Sequence, residues 1–429
     1  MPAKLLQPRF LPLLAGLLLL LFTGGLRAQP ATEAEPGSEL QISLLTFGPG
    51  EIYWERFGHN AIAIRDTRSG DALSINYGIF DFEEEAFFLN FLRGDMRYSI
   101  AATSLEQDLA YYREQGRAVL EQELDLTPAQ RLALRDFLLW NLRPENARYR
   151  YEYFTSNCST KVRDALDRVL DGAIRRSLET RSRGYTYRLQ ADSLLAPIAG
   201  LMLPMDLGLG PYADRRLSFW DESFVPAEFA RHLPLVQIPA TDGSRKSLVR
   251  ATRVLGEASP VLAAAERSFL RRHGPYPIGY AAPAVMIGGG FGLLLLLLAR
   301  STRPRAALAF AALASLSALS AGLAGLLLAA LWLLTEHVSA WRNENLLLLN
   351  PLLLLLLPAL WRTRRIPAHG SRSTRVLAGL ILLLALFALA GKTLPWFTQQ
   401  NAVWIGLLLP PHLVIAWRLL RGRAHDAVD

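Results

Sequence analysis

Hydrophobic and polar residues are mixed in short stretches up to about residue 273, whereas after residue 280 the chain consists mainly of long apolar runs. The first part contains stretches rich in β-branched and aromatic residues, a composition that β-strands favour. Together with the helices described next, these stretches predict an α+β domain over residues 40–273. The predicted strands lie at 40–47, 61–65, 73–77 and 149–154.

Two helices are predicted in the same domain. Thr127-Pro128-Ala129-Gln130 is a capping box with proline at the first helical position, and it predicts a helix that continues to about residue 142. A second, amphipathic helix is predicted to begin immediately after Cys158, because apolar residues recur there at spacings of three and four. Its apolar positions are Val162, Ala165, Leu166, Val169 and Leu170.

Five apolar runs after residue 280 are each close to the roughly 20 residues that an α-helix needs to cross a bilayer. The longest run is interpreted as one tilted helix, because it is too short for two. Since 51% of the whole chain is hydrophobic, disorder is excluded as well. We therefore predict an all-α transmembrane domain over residues 281–420, with spans at 281–299, 306–334, 346–361, 376–394 and 402–417.

The N-terminus and the arginines predict the same orientation. Residues 1–28 have the pattern of a signal peptide, with an uncleaved anchor as the alternative, and a Pro-, Ala- and Glu-rich linker follows at 29–39. Arginines cluster between spans one and two, between spans three and four, and after span five, which makes these loops cytoplasmic. Residues 40–273 are then exported. The net charge of +8 largely reflects this topology, so no nucleic acid partner is expected.

The chain has a single cysteine, which excludes a disulfide framework. Cys158 lies in the polar sequence Ser156-Asn157-Cys158-Ser159-Thr160 at the start of the predicted helix, where one of its neighbours can act as the cap. A helix N-terminus stabilises a thiolate, and its free N–H groups can bind an oxyanion. We interpret Cys158 as a nucleophile, and the alternative is a buried, inert cysteine.

A thiol nucleophile usually needs a histidine as its base. The exported histidines are His59, His232, His273 and His337. His59 follows Gly58 at the start of a predicted strand, and a glycine at this position lets a substrate or another chain come close. His232 lies in an amphipathic stretch and His273 lies in the linker before the first span, so we expect structural roles for both. His59 is therefore the candidate base.

The order of these motifs, Gly58-His59 before Asn157-Cys158, is similar to that of the circularly permuted papain-like group, which includes the NlpC-type peptidases. More closely, most of residues 40–260 resembles the exported domain of the Lnb-type bacterial lipoprotein N-acyltransferases. The run at 343–351 also looks like the membrane portion of that family. The segments that carry the resemblance are FGHNA at 57–61, NYGIFDF at 76–82, FLRG at 91–94, the stretch 151–164, DLGLG at 206–210 and FVP at 224–226.

The resemblance implies a circularly permuted papain-like domain in the periplasm, attached to the bacterial inner membrane by the five spans. It also implies that Cys158 is the nucleophile, that His59 is the base and that a third polar residue follows on the next strand. Asn76 is the candidate for that third role, with Asp66 and Asp71 as alternatives. The implied reaction moves an acyl chain from a phospholipid through a cysteine thioester to the N-terminal amine of a lipid-modified lipoprotein, without a cofactor.

Five further residues are expected to contact the substrate. Asn157 and Ser159 flank the cysteine, and His337, Arg342 and Asn345 lie between the second and third spans on the exported side. A polar loop beside lipid can position a head group, and an arginine there attracts phosphate. The alternative is an ordinary solvated loop.

Other chemistries have weaker support. The sequence contains no Cys-x-x-Cys, His-Glu-x-x-His or Walker motif, so it indicates neither a metal nor a nucleotide. His412 inside the fifth span is a functional candidate, unless it only bonds carbonyl groups freed by the neighbouring prolines. The competing functions are an NlpC-type cell-wall amidase or peptidase, and a membrane-anchored binding module without catalysis. A peptidase needs at most one anchor, and a binding module would not require both Cys158 and His59.

Overall fold

The computed structural model describes residues 35–240, 242–257, 281–365 and 371–421. The predicted signal peptide, the first part of the predicted linker and the predicted domain end near His273 lie outside these described residues. Within them, the chain forms an N-terminal α+β domain followed by a group of membrane-length helices, as the sequence predicts.

The α+β domain is built on a seven-stranded sheet. The strands of the domain are β1 (Leu40–Phe47), β2 (His59–Asp66), β3 (Ala72–Ile79), β4 (Arg97–Ser104), β5 (Val119–Leu124), β6 (Arg148–Arg150), β7 (Gln237–Pro239), β8 (Arg245–Ser247) and β9 (Val249–Gly256). The sheet has the order β6-β4-β3-β2-β1-β5-β9 with every pair antiparallel, and β7 and β8 pair separately. The three predicted strands before residue 80 are therefore confirmed and form its centre.

The predicted strand at 149–154 is wrong beyond its first residues. β6 ends at Arg150, and a turn follows because the Glu152 carboxylate accepts hydrogen bonds from the backbone N–H groups of Phe154 and Thr155, at 3.0 and 2.7 Å. Because these N–H groups bond to the Glu152 side chain, they are not available for the hydrogen bonds between strands that a longer β6 would need. This turn leads into the segment that contains the candidate nucleophile, Cys158.

Helices connect the strands and follow the sheet. They are α1 (Phe87–Arg93), α2 (Leu105–Glu114), α3 (Pro128–Asn141), α4 (Pro144–Ala147), α5 (Cys158–Val169), α6 (Ala173–Leu178), α7 (Tyr187–Leu195), α8 (Ala199–Gly208), α9 (Phe219–Glu222) and α10 (Pro226–His232). Both predicted helices are present, as α3 and α5. The capping box of α3 is formed in both directions, and α5 begins at Cys158 itself rather than after it.

The alternation of side chains along β1 explains how the sheet is covered. Ile42 and Leu44 pack in the cluster that contains the apolar face of α5, whereas Leu45 and Phe47 pack on the opposite side with α2. Each fully buried leucine or isoleucine contributes about 1.5–3 kcal/mol through apolar burial. The sheet is thus buried on both faces, with α5 fixed against β2 and β3.

Among the described residues after position 280, five segments are long and apolar enough to cross a membrane, in agreement with the prediction. Four contain one long helix each, and these are α11 (Ala281–Arg300), α12 (Pro304–Leu334), α14 (Arg372–Ala390) and α15 (Ala402–Leu420), while the third contains α13 (Leu357–Arg362). This third segment, Glu344–Arg362, is not one α-helix throughout. It has 3₁₀ turns at Glu344–Leu347 and Pro351–Leu356, because Pro351 lacks the N–H group that a continuous helix needs.

The α+β domain docks on the outer loops of the membrane domain. The backbone N–H of Gly210 donates to Ser339 at 2.7 Å, and the N–H of Glu336 donates to the Arg93 carbonyl at 2.7 Å. The Trp404 indole at the start of α15 donates to Asp206 at 2.7 Å. These loops are the arginine-poor ones, so the contact agrees with the orientation that the positive-inside rule gives. The protein is a multi-pass inner-membrane protein with its α+β domain in the periplasm.

Candidate active site

Cys158 is the first residue of α5, so its thiol lies at a helix N-terminus. The Asn157 side chain caps this helix by accepting a hydrogen bond from the Thr160 N–H at 2.9 Å, and the Thr160 hydroxyl accepts one from the Asn157 N–H at 2.8 Å. The other N–H groups of the first turn have no acceptor within the helix. Their dipoles place positive potential at the Cys158 sulfur.

His59 is the first residue of β2, and the residue before it has to be glycine. Gly58 has φ of +80°, and a Cβ there would lie 2.7 Å from the Phe47 carbonyl oxygen. A larger residue is excluded, because it would have to adopt a left-handed conformation and its Cβ would clash with the backbone of Phe47. The imidazole stacks near Phe47 and Tyr112, with centroid distances of 6.0 and 6.2 Å. The ring is thereby held in one orientation at the end of the sheet.

Asn76 lies beside His59 on the neighbouring strand β3. The His59 Nε2–H donates to Asn76 Oδ1 at 2.9 Å, and the Asn76 amide in turn donates to Asp108 Oδ2 at 2.9 Å. A proton on Nε2 leaves Nδ1 as the ring atom that can accept the thiol proton. The two alternatives, Asp66 and Asp71, lie in the exposed turn between β2 and β3 and bond to their own neighbours.

The His59 ring and the Cys158 thiol are neighbours whose charges act on each other's pKa, and both side chains are partly exposed. Burial by itself raises the pKa of the thiol. The charge on His59, its hydrogen bond and the N–H groups of Asn60 and Ser159 outweigh burial, so the pKa of Cys158 is lowered. Burial lowers the pKa of His59, but Cys158 and the bond to Asn76 outweigh it, so that pKa is raised. Both shifts favour a thiolate–imidazolium pair.

Three residues at the site were not identified from the sequence. Gly78 on β3 has φ of +93°, and a Cβ there would lie 3.4 Å from the Cβ of Cys158, so glycine lets this strand reach the nucleophile. The Tyr149 hydroxyl is 3.9 Å from the same position. Asp108 on α2 anchors the Asn76 amide. Only the NYGIF motif around Gly78 carried a signal, because Asp108 is distant in sequence and Tyr149 is one of several aromatic residues in the stretch 149–154.

Two residues predicted to contact substrate are instead part of the interior. The Asn157 amide donates to the carbonyl of Phe224 at 2.8 Å while its oxygen caps α5. The Ser159 hydroxyl is buried between Asn60 Oδ1 at 2.7 Å and the Ser223 carbonyl at 2.6 Å. Both side chains hold the start of α5 in place. These side-chain groups bond within the protein, so a contact of Asn157 or Ser159 with substrate stays a prediction.

The three outer-loop residues that were predicted to contact substrate have different surroundings in the structure. His337 reaches the periplasmic domain, where its ring stacks on Tyr153 at 5.9 Å and its Nε2 bonds to the Phe91 carbonyl at 3.0 Å. Arg342 is exposed, so its role stays a prediction. Asn345 is fully buried and accepts a hydrogen bond from Asn401 at 2.8 Å. Its side chain is used in a contact within the membrane domain, and its predicted contact with substrate stays a prediction.

Two other histidines have structural surroundings. The two ring nitrogens of His412 lie 2.7 and 2.9 Å from the carbonyl oxygens of Leu408 and Leu348, and the nitrogen that carries the proton donates, so the ring links α15 to the third span. His232 is buried and bonds to the Glu222 carboxylate at 3.0 Å. The interpretation of His412 as a carbonyl-bonding residue is therefore the one that the geometry supports.

His232 also belongs to a cluster close enough to share a metal ion. The ligand atoms of Glu222, Glu228 and His232 lie within 4.8 Å of one another. The Arg183 guanidinium lies 2.8 Å from Glu222 and 2.7 Å from Glu228, and so it supplies the positive charge that a cation would bring. We interpret this cluster as an ion-pair network.

The fold and the site together define a class of protein. It is a polytopic inner-membrane protein whose periplasmic domain carries a cysteine and a histidine in the circularly permuted papain-like order. Two family models match the chain, the Lnb N-terminal periplasmic domain over residues 28–193 and the Lnb transmembrane domain over residues 281–398. The chain belongs to the Lnb family, which indicates an enzyme of lipoprotein biogenesis in the membrane. No curated protein and no solved structure matches it.

Proposed function

We propose that this protein is a lipoprotein N-acyltransferase that takes an acyl chain from a membrane phospholipid. The carrier of the acyl chain is Cys158, and the acceptor is the N-terminal amine of a lipid-modified lipoprotein. The observation that supports this most strongly is that Cys158 at a helix N-terminus neighbours His59 at the start of β2, in a domain held against the outer loops of the membrane-length segments. A thiol nucleophile at a membrane surface suits an ester substrate that is itself a lipid.

The first half-reaction transfers the acyl group to the enzyme. The thiol proton of Cys158 moves to Nδ1 of His59, and the sulfur attacks the carbonyl carbon of the phospholipid ester. The N–H groups at the start of α5 are the nearest donors for the oxyanion that develops on the carbonyl oxygen. The ester C–O bond then breaks, and the leaving alkoxide takes the proton from His59. The products are a lysophospholipid and a Cys158 thioester.

The second half-reaction moves the acyl group to the amine. The uncharged N-terminal amine of the lipoprotein attacks the thioester carbonyl, and His59 accepts one of its protons. The C–S bond breaks, the amide forms and the Cys158 thiolate is restored. Asn76 acts as a positioning residue in both halves, because it keeps the proton of His59 on Nε2. The exposed Arg342 is a candidate for attracting the lipid phosphate.

The direct test is the intact mass of the purified protein after incubation with phospholipid vesicles. We expect the mass to increase by one acyl group on Cys158, and neutral hydroxylamine should remove it, because a thioester is cleaved under these conditions. The Cys158→Ala variant should gain no mass, and His232→Ala is the matched control that should still be acylated. An unchanged mass under conditions where a lipoprotein becomes N-acylated would contradict the thioester mechanism.

A further inference from the structure

The connection between β3 and β4 presents large apolar side chains to the outside of the protein. This connection, residues 80–93, includes α1 and is called the aromatic arm below. Phe88 and Leu92 lie one helical turn apart on one face of α1 and are 66% and 65% exposed. Phe82, Leu89 and Phe91 in the same arm are exposed as well. A contiguous apolar surface of this kind marks a site of interaction.

The C-terminal end of the arm is attached to the membrane domain at the level of the bilayer surface. The Arg93 carbonyl accepts a hydrogen bond from Glu336, two residues after the end of α12. A Cβ at the next residue, Gly94, would lie 2.9 Å from the backbone of Glu336 and His337. Phe88 is six residues before Gly94, which corresponds to about 9 Å along a helix. The exposed face of α1 therefore lies close to the outer end of a membrane span.

Indole rings mark the same level on the membrane domain. Trp341 in the outer loop is exposed, and its indole donates to the Thr335 carbonyl at 3.0 Å. Trp332 in the last turn of α12 is exposed too. Tryptophan is enriched where a bilayer meets water, because its ring is apolar and its N–H is polar. The arm thus continues a surface that already faces lipid.

Aromatic rings also connect the arm with the candidate nucleophile. Phe80 at the start of the arm packs on Tyr98 with a centroid distance of 5.2 Å, and Tyr98 packs on Tyr151 at 4.3 Å. Tyr98 is also paired across the sheet with Tyr149, whose hydroxyl lies 3.9 Å from the position that a Cβ on Gly78 would take, and that position is 3.4 Å from the Cβ of Cys158. The wall between the arm and Cys158 therefore contains a row of aromatic rings, beside the ion pairs of Arg148 with Glu84 and of Arg150 with Glu336.

We propose that the aromatic arm is immersed in the outer leaflet of the membrane, with Phe88 and Leu92 among the acyl chains. Asp81, Glu83 and Glu85 before α1 are exposed and remain in water or at the head groups, because carboxylates are costly in hydrocarbon. Only the apolar face of α1 enters the bilayer, while the exposed Arg93 at its C-terminal end stays at the head groups beside Glu336. Resting on the proposed function, the ring-lined wall would guide the acyl chain of the donor phospholipid to Cys158 without passage through water.

Immersion is tested with a fluorophore that does not depend on turnover. In a Cys158→Ala background, which has no other cysteine, single cysteines replace Phe88, Leu92 or Leu73 and carry a nitrobenzoxadiazole label. Leu73 is the matched control, an exposed leucine at the opposite end of β3. The variants are placed in vesicles of phosphatidylethanolamine and phosphatidylglycerol that contain lipids with a nitroxide on the acyl chain. Quenching at positions 88 and 92 should be several-fold stronger than at position 73.

Other results of this measurement would overturn the proposal. Equal quenching at all three positions would mean that the arm is in water. A blue-shifted but unquenched label at positions 88 and 92 would mean that another protein surface covers the arm, such as a second copy of the chain.

The guiding role is tested by comparing two acyl donors in the Cys158 thioester assay, one in vesicles and one a water-soluble short-chain ester. In Phe88→Glu and Leu92→Glu the ratio of vesicle to soluble acylation should fall by about tenfold, the change expected from losing one buried apolar side chain. Leu73→Glu should leave the ratio unchanged. An equal ratio in all variants would refute the guiding role. If the wild-type protein is acylated by neither donor, the proposed function fails, while the quenching result still decides immersion.

Discussion

Two histidines of the periplasmic domain are held through Nε2 by a side-chain oxygen, yet their surroundings differ. His59 donates to the neutral amide of Asn76 at 2.9 Å, is partly exposed and lies against the only cysteine of the chain. His232 is buried and bonds to the carboxylate of Glu222 at 3.0 Å, in a network completed by Arg183. The first arrangement leaves one ring nitrogen and one face open to a partner. The second is closed on every side by groups of the protein itself.

The difference teaches what separates a reactive histidine from a structural one. A neutral amide fixes the proton of His59 without neutralising a charge on the ring, so the ring charge is left to stabilise the Cys158 thiolate. In the network around His232, Arg183 pairs with both Glu222 and Glu228, and Arg231 pairs with Glu228 as well. A buried ion pair of this kind holds elements together and is costly to break. The variants below test this contrast, from the largest expected effect to the smallest.

Removing either member of the reactive pair should have the largest effect. In Cys158→Ala and His59→Ala, acyl transfer should fall by about 10³-fold or more, and the double variant should be no slower than either single one, because the residues act as a unit. Rates per mole of folded protein, measured with a lipoprotein acceptor, check this. Full activity in Cys158→Ala would show that Cys158 is not the nucleophile, and the protein would be better described as an anchored binding factor.

Asn76→Ala should have the next largest effect. The His59 ring would lose the acceptor that fixes its orientation, and a misplaced catalytic group costs about 10²-fold in rate. The loss should appear in kcat, and Asn76→Asp should recover part of it because it keeps an acceptor next to Nε2. If Asn76→Ala lost activity only in proportion to the loss of folded protein, Asn76 would have a merely structural role.

The pH dependence of Cys158 alkylation gives a smaller but specific effect. Because the pKa of the thiol is lowered, alkylation by iodoacetamide should already be rapid below the ordinary cysteine pKa of about 8.5, and it should slow only as the pH falls through the lowered value. In His59→Ala the charge and the hydrogen bond are absent while burial remains, so the profile should move to higher pH. Identical profiles for the two proteins would show that His59 does not tune the thiol.

His232→Ala should change the chemistry least. The Glu222 carboxylate would lose one hydrogen-bond donor, which costs roughly 1–3 kcal/mol for a buried group, so the melting temperature of the periplasmic domain should fall. Acyl transfer per mole of folded protein should stay near the wild-type rate. Thermal unfolding and activity measured on the same preparation separate the two quantities. A large loss of activity without a loss of stability would place His232 in the reaction and remove the contrast with His59.

Much of the architecture could be predicted from the sequence, because its signals are local or periodic. The capping box before α3 consists of four consecutive residues, and the apolar face of α5 is formed by residues three and four positions apart. The five spans and their orientation depend on run length and on arginine placement, which require no knowledge of packing. The candidate pair was found because Gly58-His59 and Asn157-Cys158 each sit at the start of an element.

The details of the site could be predicted less well. Asn76 was the candidate for the third polar residue, but its position beside His59 depends on the register of β2 and β3, which the sequence does not give. The strand predicted through residue 154 failed because the Glu152 side chain closes a turn instead. Asp108 was missed because α2 meets the sheet only through long-range packing.

What the sequence by itself determined is where helices, strands and spans begin, on which side of the membrane the first domain lies, and which thiol and imidazole are candidates for chemistry. Only the tertiary structure decided which polar side chains are available to a substrate. Three polar residues are of types that often bind substrates, but their side chains form hydrogen bonds with residues distant in the chain. They are Asn157, Ser159 and Asn345. The reason is physical: the preference of a residue for a helix start is a property of a few neighbours, whereas its exposure and its free hydrogen bonds depend on every element that packs around it.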